Sequence, residues 1–263
     1  MGDQHQPRHV PGRGVERVAV LTSGGLDSCV LLADLARENT VYPIYIEFGL
    51  AWERAEQAAL RGYLDALTLK PGDTPRTPGL ENIQPLTTLQ VPVAPMYGRH
   101  WSLTGEDVPD YDAAIDADYL PGRNVLLLGH AAVWCALHDT HKIALGSLMQ
   151  NPYSDATPEF FRDYGTLLSG ALTHSIEVLT PYRSREKDEL IREHPDLPLH
   201  LTLTCIGQKP GEALDAAPGE GAAAEPDRGP LHCGACLKCH ERHEAFVEAG
   251  VPDRTRYAAA PKD

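Results

Sequence analysis

The sequence lacks an excess of positive charge, a long apolar run and an apolar leader, and each absence excludes a class of protein. Its 263 residues carry 23 Lys and Arg against 37 Asp and Glu, a formal net charge of −14. A basic surface for a nucleic-acid backbone is therefore not expected. Residues 124–137, the most apolar stretch, are too short to span a bilayer and are interrupted by His130. The amino-terminal residues contain no apolar signal core. We predict a cytoplasmic protein that binds neither nucleic acid nor membranes.

A repeated strand–helix pattern indicates an α/β protein with a doubly wound parallel sheet. Residues 15–22 and 40–48 have the apolar pattern of strands, and residues 27–37 and 52–67 have that of helices. The further predicted elements are strands at 88–93, 142–145 and 175–179, and helices at 125–138, from 157 onward, at 184–193 and at 241–249. A proline-rich surface connection is expected at 71–85.

Composition also suggests how the chain is divided. Residues 1–16 have no apolar period and predict a flexible tail, and residues 17–200 form the α/β domain. A small carboxyl-terminal region, 201–251, follows. Within it residues 207–230 are so rich in Gly, Ala, Pro and acidic residues that we expect a disordered insert. Residues 252–263 are expected to be a second tail.

A glycine-rich turn with the sequence SGGLDS separates the first predicted strand from the first predicted helix. Two successive glycines let the backbone wrap an anion closely, at the positive end of a helix dipole. The pattern is neither the GxxxxGK[ST] loop of kinase-type enzymes nor the GxGxxG of dinucleotide-binding proteins. The turn therefore predicts a phosphate cradle, whose residues are Ser23, Gly24, Gly25, Leu26, Asp27 and Ser28.

Three of the six cysteines, Cys233, Cys236 and Cys239, are spaced by two residues and predict a metal site. Cys205 is the best candidate for a fourth ligand, because it ends an apolar run just before the insert. Zinc held by four thiolates would be structural. An iron–sulfur cluster is the alternative metal group. The alternative fourth ligands are His232, His240 and His243, whereas Cys29 and Cys135 lie in predicted helices and are expected to be buried thiols.

Four further residues are candidates for the ligand site, Arg123 and Lys187 for anionic groups and Arg123, Tyr153 and Asp155 for the substrate. Arg123 begins the longest predicted helix, and Lys187 lies on a short helix after a Thr-Pro pair. Tyr153 and Asp155 follow a predicted strand, at the sheet edge where ligands of open α/β folds bind. Asp27 and Asp155 are candidates for holding Mg²⁺.

Taken together, these motifs resemble the 7-cyano-7-deazaguanine (preQ0) synthase family of the PP-loop N-type ATP pyrophosphatases. The resemblance rests on SGGLDS at 23–28, PGRN at 121–124, PEF at 158–160, TP and a following lysine within 180–187, and a distant cysteine before HCGACLKC at 232–239. It implies an adenine nucleotide alpha-hydrolase-like fold with a zinc-binding region, and a homodimer. It also implies an ATP-dependent ligase that converts 7-carboxy-7-deazaguanine and ammonia to preQ0, in queuosine biosynthesis, through an adenylated carboxylate.

The resemblance also assigns roles to residues. The turn residues Ser23, Gly24, Gly25, Asp27 and Ser28 would hold the ATP phosphates, and Arg123 and Lys187 would bind anionic groups of ATP or of the substrate. The zinc ligands would be Cys205, Cys233, Cys236 and Cys239.

Two loops depart from the family pattern. FGLAW at 48–52 replaces Tyr-Gly-Gln-Arg/Lys-His, and the loop at 153–160 keeps Tyr153 and Asp155 but has Ala156 and Thr157 where the family has Cys and Arg. A paralogue that adenylates and amidates a different carboxylate is therefore one alternative. A tRNA-thiolating PP-loop enzyme is a second, and a zinc-dependent interaction protein with an inactive cradle is a third.

Overall fold

The computed structural model describes residues 15–68, 80–114, 116–208 and 229–261. Its centre is a five-stranded sheet in the order β3-β2-β1-β4-β5, in which every neighbouring pair is parallel. The strands are β1 (Glu16–Leu21), β2 (Asn39–Glu47), β3 (Thr87–Gln90), β4 (Lys142–Ala144) and β5 (Glu177–Leu179). The predicted parallel α/β sheet is confirmed.

Helices cover both faces of this sheet, as in a doubly wound fold. They are α1 (Leu26–Ala36), α2 (Glu53–Leu67), α3 (Ala94–Tyr97), α4 (Trp101–Thr104), α5 (Arg123–Leu137), α6 (Pro158–Leu172), α7 (Lys187–Glu193) and α8 (Leu237–Ala249). Successive side chains of β1 point to opposite faces. Val18 and Val20 pack with α1, α2, α7 and α8, whereas Ala19 and Leu21 pack with α5 and α6.

The structure differs from the sequence-based expectation at several helix and loop boundaries. Helix α8 begins at Leu237 rather than at 241, because Cys236 is the extended residue that precedes the helix. Helix α7 begins at Lys187 rather than at 184, because Glu186 and Glu189 form its capping box. The short helices α3 and α4 carry no strong periodic signal and were not expected.

The predicted first tail and insert fall largely on residues 1–14 and 209–228, which lie outside the described residues, as do residues 71–79 of the predicted connection and residues 262–263 of the second tail. Part of the expected second tail does have regular structure. Strand β7 (Arg256–Tyr257) pairs in parallel with β6 (Leu231–His232). In the described part of the connection, residues 80–85, Leu80 is 1% exposed and packs into the core, whereas Glu81 and Pro85 are exposed.

Within the four described ranges, no helix combines the length and the apolar character needed to cross a membrane.

Candidate functional site

The SGGLDS turn connects β1 to α1, and its geometry requires glycine. Gly24 has a φ of +84°, and a Cβ there would lie 2.6 Å from the backbone oxygen of Glu56. Gly25 is the residue that precedes α1, and no side chain caps the helix. The N–H groups of the first turn are therefore available to an anion. The turn supports the predicted phosphate cradle.

Two serines brace the turn from inside. The Ser23 backbone N–H donates to Ser28 Oγ at 3.1 Å, and Ser28 Oγ donates to the Gly25 carbonyl at 3.1 Å. The two hydroxyl oxygens are 3.2 Å apart. These contacts fix the conformation of the turn. The turn therefore needs little rearrangement when a ligand binds.

A cavity of about 290 Å³ opens beside this turn. It lies at the carboxyl ends of β1 and β4, where the strand order reverses direction, which is the ligand position in open α/β sheets. The sequence-predicted residues that it brings together are Ser23, Gly25, Asp27, Arg123, Tyr153, Asp155 and Lys187. Gly24, Leu26 and Ser28 shape the turn behind the cavity wall.

Asp27 and Lys187 form the start of a chain of alternating charges on the cavity wall. Lys187 Nζ is 4.0 Å from Asp27 Oδ2 and 3.3 Å from Glu241 Oε2. Burial raises the pKa of Asp27, against the nearby charge of Lys187. Burial opposes the charge of Lys187, but Asp27 and Glu241 outweigh it and raise the pKa of the ammonium group. Lys187 is therefore held as a cation at the cavity.

The same chain continues across the cavity to the 153–157 loop. Lys238 Nζ lies 2.7 Å from Glu241 Oε1 and 3.0 Å from Asp118 Oδ2. The Tyr153 hydroxyl donates to Asp118 Oδ1 at 2.6 Å. Sequence reasoning missed Asp118, Lys238 and Glu241. Asp118 and Glu241 lie in no motif, and Lys238 lies between two cysteines of a motif that points to metal binding only.

Arg123 and Asp155 both lie at the amino terminus of α5. Asp155 Oδ2 accepts from the Asn124 backbone N–H at 3.1 Å, and the Asn124 side chain donates to the Asp155 carbonyl at 3.0 Å. This contact places a carboxylate at the positive end of the helix dipole. Arg123 lines the cavity, and its buried Nε has no hydrogen-bond partner among the described residues.

A further wall of the cavity is formed by Trp52, Glu56 and Trp101. The sequence analysis did not predict it. Glu56 is 7% exposed, and Tyr45 donates its hydroxyl proton to Glu56 Oε2 at 2.8 Å. Burial raises the pKa of Glu56 to about 8, partly offset by the charge of Arg123. The only available signal was an acidic residue on the apolar face of a predicted amphipathic helix.

The four predicted metal-binding cysteines lie in one cluster. The sulfur atoms of Cys205, Cys233, Cys236 and Cys239 are all within 4.8 Å of one another. Three of the separations are 3.5, 3.8 and 3.9 Å. A tetrahedral zinc with Zn–S bonds of about 2.3 Å requires sulfur atoms about 3.8 Å apart, so the cluster fits a structural zinc.

The alternative histidine ligands point elsewhere. His232 Nε2 accepts from the Thr204 backbone N–H at 3.3 Å, and His240 stacks on Tyr111 with ring centroids 4.2 Å apart. His243 faces Asp253 at 3.7 Å. Cys29 and Cys135 are buried thiols away from the cluster, as expected.

The cysteine cluster is tied directly to the phosphate cradle. The Leu203 backbone N–H, two residues before Cys205, donates to the Gly24 carbonyl at 2.9 Å. Helix α8, which begins at the cluster, carries Lys238 and Glu241 into the cavity. The cluster therefore supports one backbone wall and two charged side chains of the site.

Comparison with known proteins identifies the family of this chain. The family model described as "Queuosine biosynthesis protein QueC" matches residues 17–250. The 7-cyano-7-deazaguanine synthase of Methanothrix thermoacetophila is 30% identical over 250 residues, which cover 92% of this chain and 98% of that protein. The 7-cyano-7-deazaguanine synthase of Acidobacterium capsulatum is 30% identical over 254 residues, which cover 92% of this chain and 97% of that protein. The matched range contains the glycine-rich turn, the cavity and the cysteine cluster.

Proposed function

The chain belongs to the QueC family of queuosine biosynthesis proteins, and we propose that it is an ATP-dependent ligase that makes 7-cyano-7-deazaguanine from 7-carboxy-7-deazaguanine and ammonia. The observation that carries the proposal is the position of the cradle. The open amino terminus of α1, Arg123 and Lys187 face one cavity, so a nucleotide and an anionic acceptor can meet there.

The chemistry follows from the need to activate a carboxylate. Its own leaving group would be oxide, so an oxygen of the acceptor attacks the α-phosphorus of ATP and pyrophosphate departs. Ammonia then attacks the acyl adenylate, and AMP leaves as the amide forms. The amide oxygen then attacks the α-phosphorus of a second ATP and displaces pyrophosphate, and loss of AMP and the two amide protons yields the nitrile.

The cavity residues have separate roles in this scheme. The turn from Ser23 to Ser28 holds the phosphates, and Lys187 stabilises the negative charge that grows on pyrophosphate. Arg123 binds the acceptor carboxylate. Tyr153 and Asp155 position the acceptor side of the site, the first through Asp118 and the second by holding the start of α5.

Two metals fit the residues present. Asp27 Oδ1 is buried without a hydrogen-bond partner among the described residues, which suits a ligand of the Mg²⁺ that accompanies ATP. Asp155 is engaged with α5, so Asp27 is the better of the two predicted ligands. Zinc on the four cysteines would stabilise the region that supports Gly24, with no part in the chemical steps. The homodimer and the cytoplasmic location stay predictions.

The test is turnover of purified protein with ATP, Mg²⁺, ammonium and 7-carboxy-7-deazaguanine. We expect pyrophosphate and AMP to form only when acceptor and ammonia are both supplied, and mass spectrometry to detect the amide and then the nitrile. Pyrophosphate release with another acid but not with this one would indicate the paralogue. Formation of ADP alone would contradict adenylation.

A further inference from the structure

The wall formed by Trp52, Glu56 and Trp101 has the features of a binding site for a flat nitrogen heterocycle. Trp52 and Glu56 are one helical turn apart at the start of α2, where the Glu56 backbone N–H donates to the Trp52 carbonyl at 3.0 Å. Both residues line the cavity, and Trp52, which is 4% exposed, stacks from behind on Trp101 with ring centroids 5.7 Å apart. A carboxyl group therefore lies beside an aromatic surface.

The second aromatic residue is held in place by the backbone. The Ala51 N–H donates to the Ser102 carbonyl at 2.8 Å, which ties the loop after β2 to α4. Ser102 is fully buried, so the contact is shielded from water. Trp101 is thus a fixed part of the cavity wall, and a base placed against it loses little freedom to side-chain movement.

The polar groups at this wall form an acceptor beside a donor. Among the described residues, the carboxyl of Glu56 has a hydrogen bond only with Tyr45, through Oε2. Arg123 is close enough for its charge to act on Glu56, and its Nε is unpartnered. A guanine-type edge carries the matching pattern, with two N–H donors next to a carbonyl oxygen. An adenine edge has an acceptor where guanine has its ring N–H.

We propose that Trp52, Trp101 and Glu56 bind the heterocycle of the acceptor, with the Glu56 carboxylate accepting from the ring N–H and the 2-amino group of a guanine-type base. The assignment rests on the proposed function for the identity of the acceptor. Arg123 then reaches the carbonyl oxygen and the neighbouring carboxylate of the same ligand. Two N–H donors favour the charged carboxylate and so counteract the burial that disfavours it.

The base preference can be measured without turnover. Calorimetric titration of the zinc-loaded, full-length protein with 7-deazaguanine and with 7-deazaadenine, in the absence of ATP, should show that the guanine-type base binds at least about tenfold more tightly. Equal affinities would overturn the proposal, and this measurement depends on no variant.

The carboxyl group is tested by Glu56→Gln, which keeps the shape but presents an amide donor to one of the ligand N–H groups. We expect the affinity for 7-carboxy-7-deazaguanine to fall about ten- to a hundredfold, with the Kd for ATP unchanged. The matched control is Asp65→Asn, an exposed carboxylate on the same helix. Unchanged acceptor binding would overturn the proposal, as would an equal loss of ATP binding, which would assign Glu56 to the nucleotide.

Stacking is tested by Trp101→Leu, which should weaken both deazapurines by a similar factor of about ten. A loss confined to ATP would place the adenine ring here instead. Failure of the turnover assay together with Glu56-dependent binding of 7-deazaguanine would remove the proposed reaction and keep this subsite. Turnover that does not depend on Glu56 would support the proposed reaction and overturn this subsite.

Discussion

Replacing Glu56 by Gln should change the pH dependence of folding stability in a way that its buried position determines. Glu56 is 7% exposed and its pKa is raised to about 8, from an ordinary value of 4.5. Between those values the folded protein holds a proton that the unfolded chain has released. The favourable contribution of this group is fully present below pH 4.5 and is lost as the pH rises to about 8.

The size of the effect follows from the two pKa values. Each pH unit well inside this window lowers the free energy of unfolding of the parent protein by about 1.4 kcal/mol. The loss between pH 4.5 and pH 7 is therefore about 3 kcal/mol. Glutamine does not titrate and still offers an oxygen to the Tyr45 hydroxyl. The free energy of unfolding of Glu56→Gln, minus that of the parent protein, should therefore rise by about 3 kcal/mol over the same range.

Urea unfolding at pH 5, 6, 7 and 8, with the zinc content held constant, measures this difference. Protons bound at the cysteines and at other groups affect both proteins alike and cancel. Asp65→Asn, with an exposed carboxylate, should parallel the parent protein at every pH. A difference between Glu56→Gln and the parent that stays constant within about 0.5 kcal/mol would mean that Glu56 is ionised in the folded protein, and the reasoning would fail.

Three further outcomes are expected. Gly24→Ala should reduce ATP affinity more than tenfold and destabilise the fold by about 1–3 kcal/mol, because a Cβ would lie 2.6 Å from a backbone oxygen at a φ of +84°. Gly62→Ala on α2, where a Cβ meets nothing within 4 Å, is its control in calorimetric titration, and a normal ATP affinity of Gly24→Ala would contradict the cradle. Cys236→Ser should lose the metal and lower the melting temperature, whereas Cys135→Ser should keep about one zinc per chain by elemental analysis. Iron in the parent protein, or zinc retained in Cys236→Ser, would refute the assignment. Arg123→Ala should lower kcat/KM for the acceptor about a hundredfold or more with an unchanged melting temperature, whereas Arg162→Ala, exposed on α6, should be neutral. Equal activities of the two variants would exclude Arg123 from the site.

The sequence alone was sufficient where the relevant residues are neighbours in the chain. The strand, the SGGLDS turn and the following helix are contiguous, so their geometry depends on local backbone preferences and on the dipole of one helix. The spacing of Cys233, Cys236 and Cys239 has the same local character. The repeated strand–helix pattern predicted a parallel sheet for a similar reason, since each strand and the helix after it are adjacent in the chain.

The tertiary structure decided everything that depends on residues far apart in the chain. Glu56 is an ordinary acidic residue of an amphipathic helix until packing places it against the turn at Gly24. Asp118 and Lys238 become partners only because α8 starts at the cysteine cluster and directs its first turn into the cavity. Charge and burial at such positions arise from the surroundings that folding creates, and these surroundings leave no pattern in the local sequence.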